Sequence, residues 1–263
     1  MSIYQKILGD GTRTLRIRRV LHLEYWLNFL KSVLYAVVLA VIFRSFCYEP
    51  YQIPTGSMKP TLLVGDYLFL AKYSYGYSRY SLPFGLPVIN QRVFFKQPKR
   101  GDVVVFALPT DTSQKYIKRL IGLPGDSVQI IRGVLHINGV PVERTIIGSF
   151  KDVDTGAVSN VYQEKLDNGV AYRTLWTGIN LDAFPATTPV YKVPKRHYLC
   201  LGDNRGDSVD SRFSDKVGFI PEENLVGRVV FMFMTKDFSL IDFIKNLDAG
   251  RALRRFQYSS QPD

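Results

Sequence analysis

The stretch YWLNFLKSVLYAVVLAVIFRSFCY, Tyr25 to Tyr48, constrains this chain more than any other. Its uncharged centre, Ser32 to Phe43, is about 12 residues, short of the ~20 expected of a spanning helix. Lys31 and Arg44 can snorkel, however, and Tyr25, Trp26, Phe46 and Tyr48 suit the two membrane interfaces. With those flanks the segment is long enough to cross a bilayer; the competing reading is a buried core helix. A cleavable secretory signal would end on a small-x-small site, whereas Arg44-Ser45-Phe46-Cys47-Tyr48 is bulky. We therefore expect an uncleaved anchor. Lys6, Arg13, Arg16, Arg18 and Arg19 lie on its N-terminal side, which puts that end in the cytoplasm and Glu49 onward on the far side.

Beyond the anchor the patterning is mainly β. With 16 Tyr, 17 Phe and 46% apolar residues in 263, the chain has the material for a strand-rich core. Strand-like runs occur at Asp66 to Lys72, Val103 to Phe106, Tyr116 to Ile121, His197 to Leu201 and Val226 to Met234. Ser127 to Ile131 and Val134 to Ile137 flank Arg132-Gly133 as a hairpin, and Asn138-Gly139 marks another turn. Residues 138–195 are polar and rich in Thr, Asp and Asn, like a lobe inserted between two halves of a core. The expected organisation is thus a basic tail (1–24), an anchor (25–48), a core in two parts (49–137 and 196–240), the inserted lobe and a basic C-terminal tail (241–263). In that tail Ile241, Ile244 and Leu247 have helical spacing; an amphipathic helix and a frayed end both fit. Leu82 to Ile89 and Val93-Phe94-Phe95 are apolar runs that either dip into a membrane surface or pack in the core.

The net charge of +11 fits an anionic membrane surface. No zinc-finger spacing, RNP-like motif or long basic arm accompanies it, so nucleic acid is not expected as a partner. The two cysteines, Cys47 and Cys200, stand far apart in apolar contexts and read as buried thiols rather than a disulfide.

One serine stands out. In PTGSMKPTLLVGD, Ser57 lies between Gly56 and Met58 with Pro54 and Pro60 close by. A serine hydroxyl is a poor nucleophile until a base takes its proton. Of the three histidines, His22 is in the leader, His136 sits in an alternating strand and His197 carries no motif, so a Ser-His-Asp arrangement is not expected. Lys118, inside Tyr116-Ile117-Lys118-Arg119-Leu120-Ile121, is the other candidate base. Strand alternation sends Lys118 and Arg119 to opposite faces, so one can enter an apolar cleft while the other meets solvent or a carboxylate. Free lysine titrates near ~10.4, but burial can lower that by roughly 3–5 units. A solvated Lys-Arg pair is the bland alternative. A third motif, Gly202-Asp203-Asn204-Arg205-Gly206-Asp207-Ser208-Val209-Asp210-Ser211-Arg212, lacks the terminal Glu and flanking helices of a calcium loop. It reads as a salt-bridged loop that fixes a hydroxyl, with Asp203 and Asp210 available to pair its arginines.

Taken in order, the anchor, Tyr48 to Leu62, Gly101 to Phe106, Tyr116 to Asp126 and Gly202 to Arg212 resemble the boxes of bacterial type I signal peptidases, membrane-anchored Ser/Lys endopeptidases. The resemblance covers roughly residues 25–131 and 195–235. It implies a mainly β fold: an antiparallel catalytic core with a smaller β-rich lobe after one transmembrane helix. It implies Ser57 as nucleophile, Lys118 as general base and Ser208 as the hydroxyl that orients the lysine amine. Thr55 and the Ser57 N–H would form the oxyanion hole. Asp210 and Arg212 would be a supporting ion pair and Arg119 a structural partner. Tyr51, Ile53, Leu68, Leu70 and Ile117 fall where the family builds its small S1 and S3 pockets. The partners implied are preprotein signal peptides and the lipid bilayer, with cleavage after small residues (Ala-X-Ala type), no metal and no cofactor. The location implied is the bacterial inner membrane, with the catalytic domain on the periplasmic side. Gly206-Asp207 departs from the family's more usual Asp-Asn. An inactive, membrane-anchored scaffold of the same fold is the rival from another class. A self-cleaving repressor-type Ser/Lys protease would carry a DNA-binding domain where this chain has an anchor.

Overall fold

The computed structural model describes residues 3–81, 89, 91–152, 155–176, 180–234 and 254–255. Two compact units divide the chain at Arg44/Ser45. The first is carried by one helix, α1 (Ile3–Phe46), which runs on through the basic leader as well as the apolar segment. Once a helix is nucleated each added residue costs little, so the leader extends it. Its part Glu24–Phe46 has a mean hydropathy of 2.0, and its apolar side chains from Tyr25 to Phe43 are exposed. At 1.5 Å per residue that part is about 35 Å long, enough for a ~30 Å hydrocarbon layer. The helix stops at Phe46, and Tyr48, expected inside the anchor, opens a strand instead. Pro50 explains the change, since a residue before proline is driven out of the α region.

The second unit is mainly β, as expected. Its strands are β1 (Tyr48–Gln52), β2 (Tyr67–Ala71), β3 (Val103–Ala107), β4 (Lys115–Gly122), β5 (Ser127–Ile131), β6 (Val134–Ile137), β7 (Val140–Pro141), β8 (Glu143–Lys151), β9 (Val158–Lys165), β10 (Ala171–Trp176), β11 (Tyr191–Lys192), β12 (His197–Leu201), β13 (Ile220–Pro221) and β14 (Leu225–Met234). The main antiparallel sheet has the order β1-β2-β14-β3-β4-β12-β13. All five residues of β3 are buried, which is why its sequence VVVFA shows no polar alternation. Both two-residue turns read from the sequence have the two positive φ angles of a primed hairpin: Arg132 (48°) with Gly133 (80°), and Asn138 (54°) with Gly139 (81°).

Residues 138–195 hold a three-stranded sheet, β10-β9-β8, and both ends of that stretch join β5 and β6 in a four-stranded sheet, β11-β5-β6-β7. Leu166, Tyr172, Trp176, Ala186 and Val193 from this stretch pack with Ile121, Val128, Ile130, Leu135, Leu199 and Leu201 in one core. A second core gathers Ile53, Met58, Leu62, Leu68, Leu70, Val103, Val105, Ile117, Val226 and Val229. Cys47 and Cys200 are free thiols, the former half-buried and the latter buried. Leu82 to Val88 and the amphipathic pattern at 241–247 lie outside the described residues.

Candidate active site

After β1 the chain passes through Thr55 in extended conformation (φ −134°, ψ 156°) into a single 3-10 turn, Gly56–Met58. Met58 and Leu62 are fully buried in the second core and root this turn. Ser57 beside them is buried, 8% exposed. The close approach of the Lys59 side chain makes glycine useful at 56: a Cβ there would lie 3.1 Å from Lys59 Cε. The Lys59 ammonium is itself held by Asp152, 2.7 Å away. Asp152 follows β8, so the stretch 138–195 braces the serine turn.

Register brings the lysine to this serine. Val104 of β3 pairs with Lys118 of β4 and Val103 with Arg119. Lys118 Nζ donates to Ser57 Oγ at 2.6 Å. Arg119 goes elsewhere, as alternation requires, and clasps the Asp203 carboxylate with two hydrogen bonds of 2.8 and 2.6 Å. The lysine is 3% exposed. Burial pushes its ammonium down to about 8, against the opposing pull of Asp210. A neutral amine is therefore reachable near physiological pH, which the bland solvated-pair reading of Lys118-Arg119 does not provide.

The loop after β12 supplies the surroundings. Arg212 clasps Asp210 with two bonds of 2.8 Å each, and the Gly202 N–H donates to the same carboxylate at 2.9 Å. Burial would raise the Asp210 carboxyl, but Arg212 and these hydrogen bonds hold it below the ordinary range. Asp203, read from the sequence as a partner for the loop's own arginines, pairs with Arg119 instead and accepts the Thr61 hydroxyl at 2.5 Å. Arg205 turns to Glu164 of β9, with bonds of 3.0 and 2.7 Å, and Glu164 also accepts the Tyr172 hydroxyl at 2.7 Å. Sequence reasoning missed Glu164. The loop's own carboxylates, Asp203, Asp207 and Asp210, already outnumber Arg205 and Arg212, so nothing local signalled that Arg205 needs a partner from β9.

A cleft of about 540 Å³ opens over the pair. Thr55, Ser57 and Lys118 line it, with Tyr51 and Ile117 from the expected pocket set and with Asp207 and Val209. Ile53, Leu68 and Leu70, from the same set, are fully buried in the core and are not among the lining residues. Thr55 Oγ1 lies 3.4 Å from Ser57 Oγ. Ser208 is buried, but its hydroxyl makes no hydrogen bond, so it is near the constellation without touching the lysine amine. The described histidines are not partners of the serine: His136 and His197 bond the nearby carbonyls of Val134 and Lys195. Among the described residues no group of three or more His, Cys, Asp or Glu is placed to hold a metal ion. Chemically, the arrangement is a hydroxyl with a buried amine in hydrogen-bond reach, open to an extended groove.

Comparison with known proteins gives the family of the chain. Residues 26–234 match the family model for signal peptidase, peptidase S26. The curated signal peptidase I of Rickettsia typhi is 43% identical over 230 residues, covering 82% of this chain and 86% of the relative. That of Rickettsia akari is 42% identical over 221 residues, covering 81% and 80%. A crystal structure of a signal peptidase I from Enterococcus faecalis is similar at 28% identity and TM-score 0.30, covering 51% of this chain and 97% of that one.

Proposed function

The chain belongs to the signal peptidase family, peptidase S26, and is an enzyme of that class; on that premise we propose that it is a membrane-anchored endopeptidase removing N-terminal signal peptides with a Ser57/Lys118 dyad. The 2.6 Å contact between Lys118 Nζ and Ser57 Oγ in a buried site carries this reading. Neutral Lys118 takes the Ser57 proton as Oγ attacks the scissile carbonyl. The Ser57 N–H and the Thr55 hydroxyl stabilise the oxyanion, a donor of that kind being worth about 3–4 kcal/mol. The ammonium then gives its proton to the leaving amine, and the regenerated amine activates water to hydrolyse the acyl-enzyme. A preprotein segment lies extended in the cleft, with Tyr51 and Ile117 among the walls that favour small side chains. Ser208 becomes a partner for the lysine amine as the proton moves. Helix α1 holds the domain at the inner membrane, its N-terminus in the cytoplasm.

The test is incubation of the full chain in detergent with a preprotein, followed by sequencing of the product's new N-terminus. Cleavage after a small residue that disappears in Ser57→Ala is expected; cleavage undiminished in that variant removes Ser57 from the reaction. The scaffold reading requires no turnover by the wild type, and the poised dyad favours the enzyme.

Two further outcomes follow from local geometry. A Cβ at Gly202 would lie 2.1 Å from Ser208 Oγ and 2.6 Å from the Ser57 carbonyl oxygen. Gly202→Ala should therefore displace the serine turn or the 208 hydroxyl. About 1–3 kcal/mol of overpacking and on the order of 10²-fold lower activity are expected, checked by thermal unfolding and preprotein cleavage. Phe94 is 82% exposed at φ 53°, next to half-exposed Val93 and Phe95. We place this patch against the bilayer. Phe94→Trp, in a Trp26→Phe background reconstituted in vesicles, should add emission over that of the core Trp176 that brominated lipids quench; added emission that they leave unquenched removes the patch from the membrane.

A further inference from the structure

We infer that Asn204 is a positioning residue that aims the Ser57 N–H into the cleft, an inference that rests on reading Ser57 as the nucleophile. Asn204 grips the serine turn twice. Its backbone N–H donates to the Ser57 carbonyl at 3.1 Å, and its side-chain Nδ2 donates to the Gly56 carbonyl at 3.2 Å. A carbonyl can only accept, so the amide nitrogen must be the atom that faces Gly56. The Gly56 carbonyl and the Ser57 N–H belong to one planar trans peptide, in which the two groups point in opposite directions. Holding the carbonyl towards Asn204 therefore turns the N–H away from Asn204. Gly56 and Ser57 line the cleft, and Asn204 does not. The donor is thus oriented by a bond made on the far side of its own peptide plane.

The clamp stands on a fixed base. The Leu175 N–H donates to the Asp203 carbonyl at 2.9 Å, and Asn204 bridges Leu175 of β10 in parallel register. The adjacent Asp203 carboxylate is clasped by Arg119 of β4. Asn204 is 5% exposed, and its Oδ1 is buried without a hydrogen bond. Nothing holds the acceptor side of the amide, so the bond to Gly56 is the work of its donor side. Burying an unpaired carbonyl oxygen costs stability, and the asparagine keeps its donor on Gly56 at that cost.

The experiment compares wild type and Asn204→Ala in three readouts: steady-state cleavage of a preprotein, inhibition by an Ala-terminated peptide boronic acid, and thermal unfolding. The boronic acid forms a tetrahedral adduct with a serine hydroxyl and so probes the oxyanion position rather than ground-state binding. We expect kcat to fall by about 30-fold or more with KM nearly unchanged, since a lost oxyanion donor costs roughly 10²–10³. Boronate affinity should fall by a matching factor, while the midpoint of the pH–rate profile stays with Lys118. Asn204→Asp has the same volume but turns an acceptor towards the Gly56 carbonyl; it carries the test if the alanine variant does not fold, and should lose at least as much. Unchanged kcat overturns the inference. So does a fall in kcat with boronate affinity intact, which would put the loss in the dyad, and so does a rise in KM alone. A wild type that neither cleaves nor binds the boronate overturns the reading of Ser57 and this inference with it; a wild type that does both, matched by Asn204→Ala, overturns only the role of Asn204.

Discussion

Lys118→Met is expected to lower preprotein cleavage by at least about 10³-fold, because the base that takes the Ser57 proton is gone. The wild-type profile should identify that base. Only the neutral amine accepts a proton, so kcat/KM should rise about tenfold per pH unit below about 8 and level off above it. The same substitution should stabilise the fold. The Lys118 ammonium is depressed in the folded chain to about 8 from an ordinary 10.5. Between those values the unfolded chain binds more protons, so stability rises with pH across that window. Below about 8 the cost of the buried ammonium is present in full, on the order of 3 kcal/mol, and methionine removes it. The variant should therefore unfold at higher temperature than wild type at pH 7, with the gap closing towards pH 10. An activity within about tenfold of wild type would remove Lys118 as the base, a role worth 10²–10⁴.

Glu164→Gln should be the most destabilising conservative change in the molecule. Glu164 and Arg205 are both almost fully buried, and the two bonds between them leave no route for water to replace the carboxylate. Burial would lower the Arg205 guanidinium, but Glu164 beside it raises it above the ordinary value, so the arginine stays charged. Removing one partner of a buried pair costs about 3–5 kcal/mol, which lowers the unfolding temperature by roughly 10 °C in a domain of this size. The double variant Glu164→Gln/Arg205→Met should recover part of the loss, because the orphaned charge is gone. Activity should fall with stability in the single variant, since the Arg205 side chain also donates to the Gly202 carbonyl at 3.1 Å and the Arg205 backbone carbonyl accepts from Arg212 at 2.8 Å. A single variant as stable as wild type would show that the pair is structurally idle.

Much of the fold was legible beforehand because its signals are local. The Arg132-Gly133 and Asn138-Gly139 turns demand positive φ, and the runs around them supply strands of the right length. The apolar run up to Phe46 reads as a helix from its own residues, and with its flanks it is long enough for a bilayer. Ser57 and Lys118 could be singled out as residue types in unusual settings. The pocket residues were less legible. Tyr51 and Ile117 line the cleft while Ile53, Leu68 and Leu70 pack in the core, a division set by which neighbours cover them.

By itself, then, the sequence determined the elements: one apolar helix, a set of antiparallel strands, the glycine-rich turns and the chemistry available at Ser57 and Lys118. These follow from backbone sterics and side-chain periodicity, which act within a few residues. Tertiary structure decided the pairings. It brought Lys118 to 2.6 Å from Ser57, gave Asp203 to Arg119, and gave Arg205 to Glu164 from a stretch that carried no motif. Any of those arginines could satisfy any of those carboxylates, and any lysine can be a weak base in water. Only the register of β3 and β4, and the burial that follows from it, selects one partner for each charge and lowers one lysine towards neutrality.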